Sequence, residues 1–169
     1  MIGRNSVMAN YEKLLGIIER NSRLDTKEIA VLLGTTEAEI VSDLAELENQ
    51  GIICGYHTMI NWDKVTEERV SALIEVRVTP QRGQGFDSIA ERIYNYPEVE
   101  SVYLMSGGYD LMVILEGKTL KEVSGFVSDK LSTLDTVLST ATHFILKKYK
   151  DHGTILGPKK VDERERVSP

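Results

Sequence analysis

The sequence predicts an α+β protein in two parts: a winged helix-turn-helix over residues 1–59 and a ferredoxin-like βαββαβ sandwich over residues 70–149. Three observations carry that prediction. Between Met8 and Leu47 apolar residues recur at three- and four-residue steps, interrupted by polar turns and a glycine, as in short amphipathic helices. From Ala72 the spacing changes to alternation, the mark of a strand with one buried face. The strand-helix-strand pattern then occurs twice, giving an order in which both helices cover one face of a single sheet.

Taken in order, Met8, Tyr11, Leu14, Leu15, Ile17 and Ile18 line one side of a first helix that ends at Asn21 and Ser22. Asp25 caps a second helix, with Glu28 three positions on as its capping-box partner, and Ile29, Ala30, Leu32 and Leu33 form its buried face. Gly34 is placed to take the left-handed conformation that closes a helix. Thr36 and Glu39 make a second capping box, opening a third helix whose Ile40, Leu44 and Leu47 face inward and whose Glu37, Glu39, Ser42, Asp43 and Glu46 face outward. Gly51 ends it, and Ile52 and Ile53 begin an extended wing running through Tyr56. Two short helices joined at a glycine turn are the helix-turn-helix unit, the second being the recognition helix; a small helical bundle of another kind would read the same way.

Residues 60–69 form the connection between the parts. In the second part Ala72, Ile74, Val76 and Val78 make the apolar face of a first strand, and a helix from Phe86 buries Ile89, Ala90 and Ile93 before Pro97. Strands from Val99 to Met105 and from Tyr109 to Leu115 pair as a hairpin across Ser106-Gly107-Gly108. Thr119 and Glu122 open a further helix buried through Leu120, Val123, Val127 and Leu131, and the last strand runs from about Thr136 to Tyr149. Two helices cover one face of such a sheet, so the other face calls for a second subunit. Residues 150–169, with Gly153, Gly157, Pro158 and the mixed-charge run Lys159 to Arg166, read as a flexible or loosely docked charged tail.

Composition sets outer limits. With 169 residues, 41% hydrophobic, the chain is long enough for one large or two small domains and a real core. Apolar runs such as Leu111 to Leu115 fall far short of the roughly 18 residues of a membrane span, and the first ten residues lack a signal-peptide layout, so a cytoplasmic protein without membrane contacts is expected. A single cysteine, Cys54, excludes an internal disulfide and a multi-cysteine metal site; beside Ile52 and Ile53 it reads as a buried small hydrophobe. His57, His143 and His152 stand apart from one another and from Cys54, so no catalytic residues, metal or cofactor are expected, and the chain does not read as an enzyme.

Charge qualifies the helix-turn-helix. Residues 1–65 hold 6 Lys and Arg against 10 Asp and Glu, a net of −4, and no Lys or Arg occurs between Lys27 and Lys64. Helices destined for the major groove gain much of their affinity by neutralising phosphates. The candidate DNA contacts are therefore Thr36, Glu37, Glu39, Ser42, Asp43 and Glu46 on the recognition helix, with Arg20, Arg23 and Lys27 supplying positive charge beside it. Carboxylates can accept from cytosine amino groups but repel phosphates. The other reading of this acidic face is a solvated helix surface, leaving an oligomeric small-molecule sensor or interaction module with weak or lost DNA binding.

The helix-turn-helix, the run Gly51-Ile52-Ile53-Cys54-Gly55-Tyr56 at its close, Gly108-Tyr109-Asp110 in the hairpin and Thr140-x-Thr142 ahead of Lys147 together resemble the Lrp/AsnC (feast/famine) family of bacterial and archaeal transcription regulators over residues 8 to 149. The resemblance implies a RAM-type C-terminal domain that binds amino acids or related metabolites at subunit interfaces, in a homodimer or an octamer built from dimers, with DNA as the partner of the N-terminal domain. It points to Ser106, Gly107, Gly108, Tyr109, Asp110, Thr140 and Thr142 as effector-binding residues. Physical chemistry agrees with that set: glycines at positive φ expose backbone N–H groups to a carboxylate, Asp110 can pair with an α-ammonium, and the threonines add hydroxyls. Without the resemblance, the same residues describe a plain turn that Asp110 merely caps. The departure lies in the recognition helix: where the family usually carries a Ser cap followed by an outward Arg and further basic residues, this chain has Thr36, Asp43 and Glu46.

Overall fold

The computed structural model describes residues 2–65, 69–79 and 85–157, with side chains described from residue 10 onward. The chain divides into two compact units, Met1–Thr58 and Met59–Pro169.

Three helices make the first unit: α1 (Ile2–Arg20), α2 (Thr26–Leu33) and α3 (Glu37–Asn49). α1 begins earlier than the apolar spacing indicated, and the expected burial of Met8 lies outside the described side chains. Leu14, Ile29, Ala30, Ile40 and Leu47 form the core, with Tyr11, Ile17, Ile18, Leu33, Leu44 and Ile53 packed against it. Burying each of its large aliphatic side chains contributes about 1.5–3 kcal/mol, and that burial holds the three short helices together. Leu32, expected inside, is 64% exposed, because Ile29, Ala30 and Leu33 already define the inward face of α2.

Two expectations after α3 are corrected. Gly51 (φ +68) reverses the chain, and the Ile52 and Ile53 N–H groups both donate to the Leu47 carbonyl, at 2.9 and 3.1 Å. Beyond that point no strand forms in this unit among the described residues, so the expected wing has no paired strand there. Ile53 alone packs against the core, while its neighbours Ile52 and Cys54 are exposed. Cys54 is exposed, its thiol donating to the Gly51 carbonyl at 3.1 Å.

The second unit contains β1 (Val70–Val78), α4 (Asp87–Tyr94), β2 (Val99–Leu104), β3 (Leu111–Gly117), α5 (Leu120–Phe126) and β4 (Val137–Ile145). The strands form one antiparallel sheet in the order β2-β3-β1-β4, the ferredoxin-like arrangement. Ala72, Ile74, Val76 and Val78 of β1 and Leu111, Val113 and Leu115 of β3 are buried against Ile89 and Ile93 of α4 and Val123 and Phe126 of α5. Thr119 caps α5 by accepting from Glu122 N–H at 3.1 Å, while the Glu122 carboxylate reaches back to Lys118 N–H. Leu120, assigned to the buried side of α5, is 57% exposed. α5 continues into a π-helical turn, Val127–Leu131, which keeps Val127 and Leu131 in the core.

β4 stops at Ile145, short of the expected Tyr149. The tail is likewise corrected in part: β5 (Lys150–Asp151) and β6 (Thr154–Ile155) pair as a small hairpin, while the run Lys159 to Arg166 lies outside the described residues. Opposite the helices, the sheet presents half-buried Leu73, Met112, Ile114 and Ile145 together with a contact of His143 Nε2 and Glu75 Oε1 at 3.3 Å. Among the described residues no helix covers this face.

Candidate functional site

The turn between α2 and α3 has the predicted chemistry. Asp25 Oδ1 accepts from Glu28 N–H at 2.7 Å, fixing the start of α2. Gly34, at φ +67 and ψ +36, closes α2 in the left-handed conformation and aims the chain back toward α3. The Thr36 hydroxyl accepts from Glu39 N–H at 3.3 Å, and Glu39 Oε2 accepts from Thr36 N–H at 3.2 Å and from the Thr35 hydroxyl. The Thr35 hydroxyl, then the Thr36 donors, hold the Glu39 carboxyl below its ordinary pKa.

Exposure around α3 changes how its acidity reads. Ile40 and Leu47 mark the inward side, and the positions opposite them, Ala38, Ser42, Ala45 and Asn49 at steps of four, three and four, are all exposed. The crest of the recognition helix is thus small and neutral. Its carboxylates run along the two flanks, where most are tied down: Glu37 accepts from the Thr26 hydroxyl at 2.8 Å, Glu46 from the Tyr11 hydroxyl at 3.0 Å and Gln50 Nε2 at 2.8 Å, and Glu48 from the Tyr56 hydroxyl at 2.8 Å. Asp43, read as outward, lies three residues from Ile40 and four from Leu47 and is half-buried; burial, then the neighbouring charges of Glu46 and Glu39, raise its pKa. Ser42 is where it was expected. Ala38, Ala45 and Asn49 were missed, although their helical spacing from Ser42 is present in the sequence. Arg20, Arg23 and Lys27 are all exposed around the α1–α2 turn.

In the second unit the hairpin forms as expected, β2 and β3 pairing from Leu104 with Leu111 onward. Met105 N–H donates to the Asp110 carbonyl at 2.8 Å, Asp110 N–H to the Val76 carbonyl at 3.1 Å, and Val78 N–H to Asp110 Oδ2 at 2.9 Å, beside the register shift in β1. Asp110 therefore fastens β1 to the hairpin, while its Oδ1 has no hydrogen-bond partner among the described residues. The glycines are not used as expected, since neither Gly107 nor Gly108 has a positive φ. A Cβ on either would meet nothing within 4 Å, so what they leave is open space beside exposed Ser106. Tyr109 is half-buried, its hydroxyl 3.9 Å from Met112 Sδ.

Thr140 and Thr142 are not gathered with these residues inside one chain. They stand in register with Val76 and Ile74, whose buried side chains put both threonines on the helix-covered face; Thr140 Oγ1 lies 3.4 Å from Ser132 Oγ. β1 also separates β4 from β3, about 9.6 Å of sheet at the usual strand spacing. A separate cavity of about 300 Å³ opens at the far end of β3, lined by Glu98, Leu115, Gly117, Val123, Phe126 and Lys130. There Lys130 is spent on its own surroundings, pairing with Glu98 and lying 5.3 and 5.5 Å from the Tyr96 and Phe126 ring centres.

Comparison with known proteins accounts for both units. Residues 71–155 match the Lrp/AsnC ligand binding domain. The chain is 51% identical over 158 residues to YugG, an uncharacterized HTH-type transcriptional regulator of Bacillus subtilis, covering 93% of this chain and 95% of that protein. Its fold is similar to that of the transcriptional regulator NMB0573 of Neisseria meningitidis, solved as an L-Met complex (TM-score 0.68, 23% identity, 86% of this chain and 94% of that one). E. coli AsnC is similar as well (TM-score 0.63, 18% identity, 83% and 92%). With a helix-turn-helix unit, a ligand-binding sheet domain and a relative sharing half its residues along nearly its whole length, the chain belongs to the Lrp/AsnC family of transcription regulators.

Proposed function

We propose that the protein is a cytoplasmic regulator that docks on DNA through the crest of α3 and takes an amino acid or a related small metabolite at the 106–110 hairpin. The observation that carries the DNA reading is the placement of charge on α3. Small neutral Ala38, Ser42, Ala45 and Asn49 face outward, and the carboxylates sit to either side. A helix with such a crest can enter the major groove, where alanine packs on thymine methyls and serine and asparagine hydrogen-bond to base edges. Exposed Arg20, Arg23 and Lys27 supply phosphate contacts nearby.

The effector reading rests on Asp110 Oδ1, which remains available to an ammonium group, and on the open space at Gly107 and Gly108. The Neisseria regulator's complex with L-Met supports an amino acid as the class of ligand. Because Thr140 and Thr142 lie on the helix-covered face, an effector held at the hairpin would gain its further contacts from a neighbouring subunit. A homodimer formed by two uncovered sheet faces, burying Leu73, Met112, Ile114 and Ile145, supplies the oligomer, and an octamer of such dimers the higher state.

One observation favours a second reading. α3 carries five carboxylates and no basic residue, a charge that holds non-specific affinity down, so a sensor acting through protein partners is the alternative. Capture of genomic DNA fragments by the full chain at low salt, with and without each amino acid, decides between them. Recovered fragments whose yield responds to one amino acid support the regulator; no fragment from folded, oligomeric protein supports the sensor.

A further inference from the structure

The segment leading into β1 is fastened by the other end of the chain. Asn61 Nδ2 donates to the Leu156 carbonyl at 2.7 Å, across 95 residues of sequence. Leu156 is itself placed by its N–H, which donates to the Tyr149 carbonyl at 3.0 Å, and by the β5–β6 hairpin before it. That hairpin turns through His152 (φ +40) and Gly153 (φ +80), the paired positive φ of a tight two-residue loop. Next to Asn61, residues Trp62–Lys64 form a single 3-10 turn, and the Arg69 guanidinium lies 3.5 Å from the centre of the Trp62 ring. Glu116, at the end of β3, accepts from Arg69 at 3.3 Å and from Ser71 at 3.3 Å, with Lys148 Nζ at 3.6 Å. Asn61 is thus held to Leu156 and Arg69 to Glu116, and both line a cavity of about 100 Å³.

We propose that the 150–156 hairpin is a clasp that sets the length of the tether between the effector domain and the helix-turn-helix. With the clasp shut, free chain toward the DNA-binding unit begins before Asn61. With it open, Asn61 is released and the tether lengthens toward Arg69, where the Glu116 contact still holds the chain. A longer, looser tether lowers the effective concentration of one helix-turn-helix at its half-site once its dimer mate is bound, and widens the range of half-site separations the dimer accepts. The DNA consequence rests on the regulator reading above; the clasp itself does not.

Two full-length variants open it from opposite sides. Asn61→Ala removes the donor, and Gly153→Val puts a β-branched residue at φ +80, where its Cβ would meet nothing, so only the turn is strained. Trypsin cleavage after exposed Lys64, followed by mass spectrometry, reads the clasp without DNA. Both variants should be cut about fivefold faster than the parent, as expected for loss of one part-buried hydrogen bond, with oligomeric state unchanged. Parental cleavage rates in either variant would overturn the clasp. On duplexes whose half-site spacing is varied base pair by base pair, both variants should bind a wider range of spacings; faster cleavage with a parental spacing profile would overturn its control of the tether. Failure of the parent itself to bind DNA would instead count against the regulator reading and leave the cleavage result standing.

Discussion

Replacing Asp110 separates the two roles of its carboxylate. Oδ2 accepts Val78 N–H at 2.9 Å and so joins the hairpin to β1; Oδ1 is the atom proposed to receive an effector's ammonium. Asp110→Asn keeps an acceptor of the same shape for Val78 and removes only the charge, whereas Asp110→Ala removes both. The alanine variant leaves a half-buried amide without its partner and should lose about 1–3 kcal/mol of stability, or several degrees in Tm at about 4–8 °C per kcal/mol for a domain of this size. The asparagine variant should stay within about 0.5 kcal/mol of the parent. For binding the two should behave alike. Each loses a charge-assisted hydrogen bond of about 1.5–3 kcal/mol, which is roughly a tenfold weakening or more. Thermal unfolding reads the first effect, and calorimetry with whichever amino acid most stabilises the parent reads the second. Parental affinity in Asp110→Asn would remove this residue from the effector site; parental stability in Asp110→Ala would refute its structural role.

Other perturbations test other steps. Gly34→Ala places a Cβ in open space but at φ +67, so its cost of about 1–2 kcal/mol is purely conformational; a denaturation midpoint identical to the parent's would contradict the left-handed turn. Burial raises the Asp43 pKa above the ordinary aspartate value, so its ionised form is disfavoured in the folded chain, a penalty fully present above the folded pKa and gone once pH falls below the unfolded value. Asp43→Asn should therefore raise the urea midpoint at pH 7 and leave it close to the parent's at pH 3, and the reverse pattern would refute that sign. Leu73→Asp puts a charge on the uncovered sheet face and should give a monomer by sedimentation at micromolar concentration; a persistent dimer would rule that face out as the interface.

How much could be read beforehand depended on how local the cause was. The Asp25 cap, the Thr36–Glu39 capping box, the left-handed Gly34 and the buried alternation of β1 through Ala72, Ile74, Val76 and Val78 follow from residues within a few positions of one another, whereas the reciprocal Glu28 half of the box expected at Asp25 is not among the hydrogen bonds of the described residues. Cys54 and Leu32 went the other way because burial depends on which side of an element the rest of the unit occupies, and apolar neighbours in sequence do not say. The crest of α3 was legible in principle: once Ile40 and Leu47 are inside, Ala38, Ser42 and Ala45 must be outside. Glu46 paired with Tyr11 and Glu37 with Thr26 are contacts over 35 and 11 residues, which no local pattern encodes. The same holds for Asn61 and Leu156, and for Asp110, whose bond to Val78 crosses from one strand to another.

If the neutral crest of α3 meets DNA, as proposed, the salt dependence of binding responds to charge placed on it. Ser42 sits on that crest, and Ser42→Arg adds one positive charge there without touching the buried Ile40 and Leu47. On a duplex of arbitrary sequence, titrated by fluorescence anisotropy between about 50 and 200 mM salt, the parent should bind and the variant's log–log slope should be steeper by about 0.9, one further phosphate contact. Identical slopes would place α3 away from the backbone, and no binding by either protein at the lowest salt, with both folded and oligomeric, would contradict docking on DNA through α3.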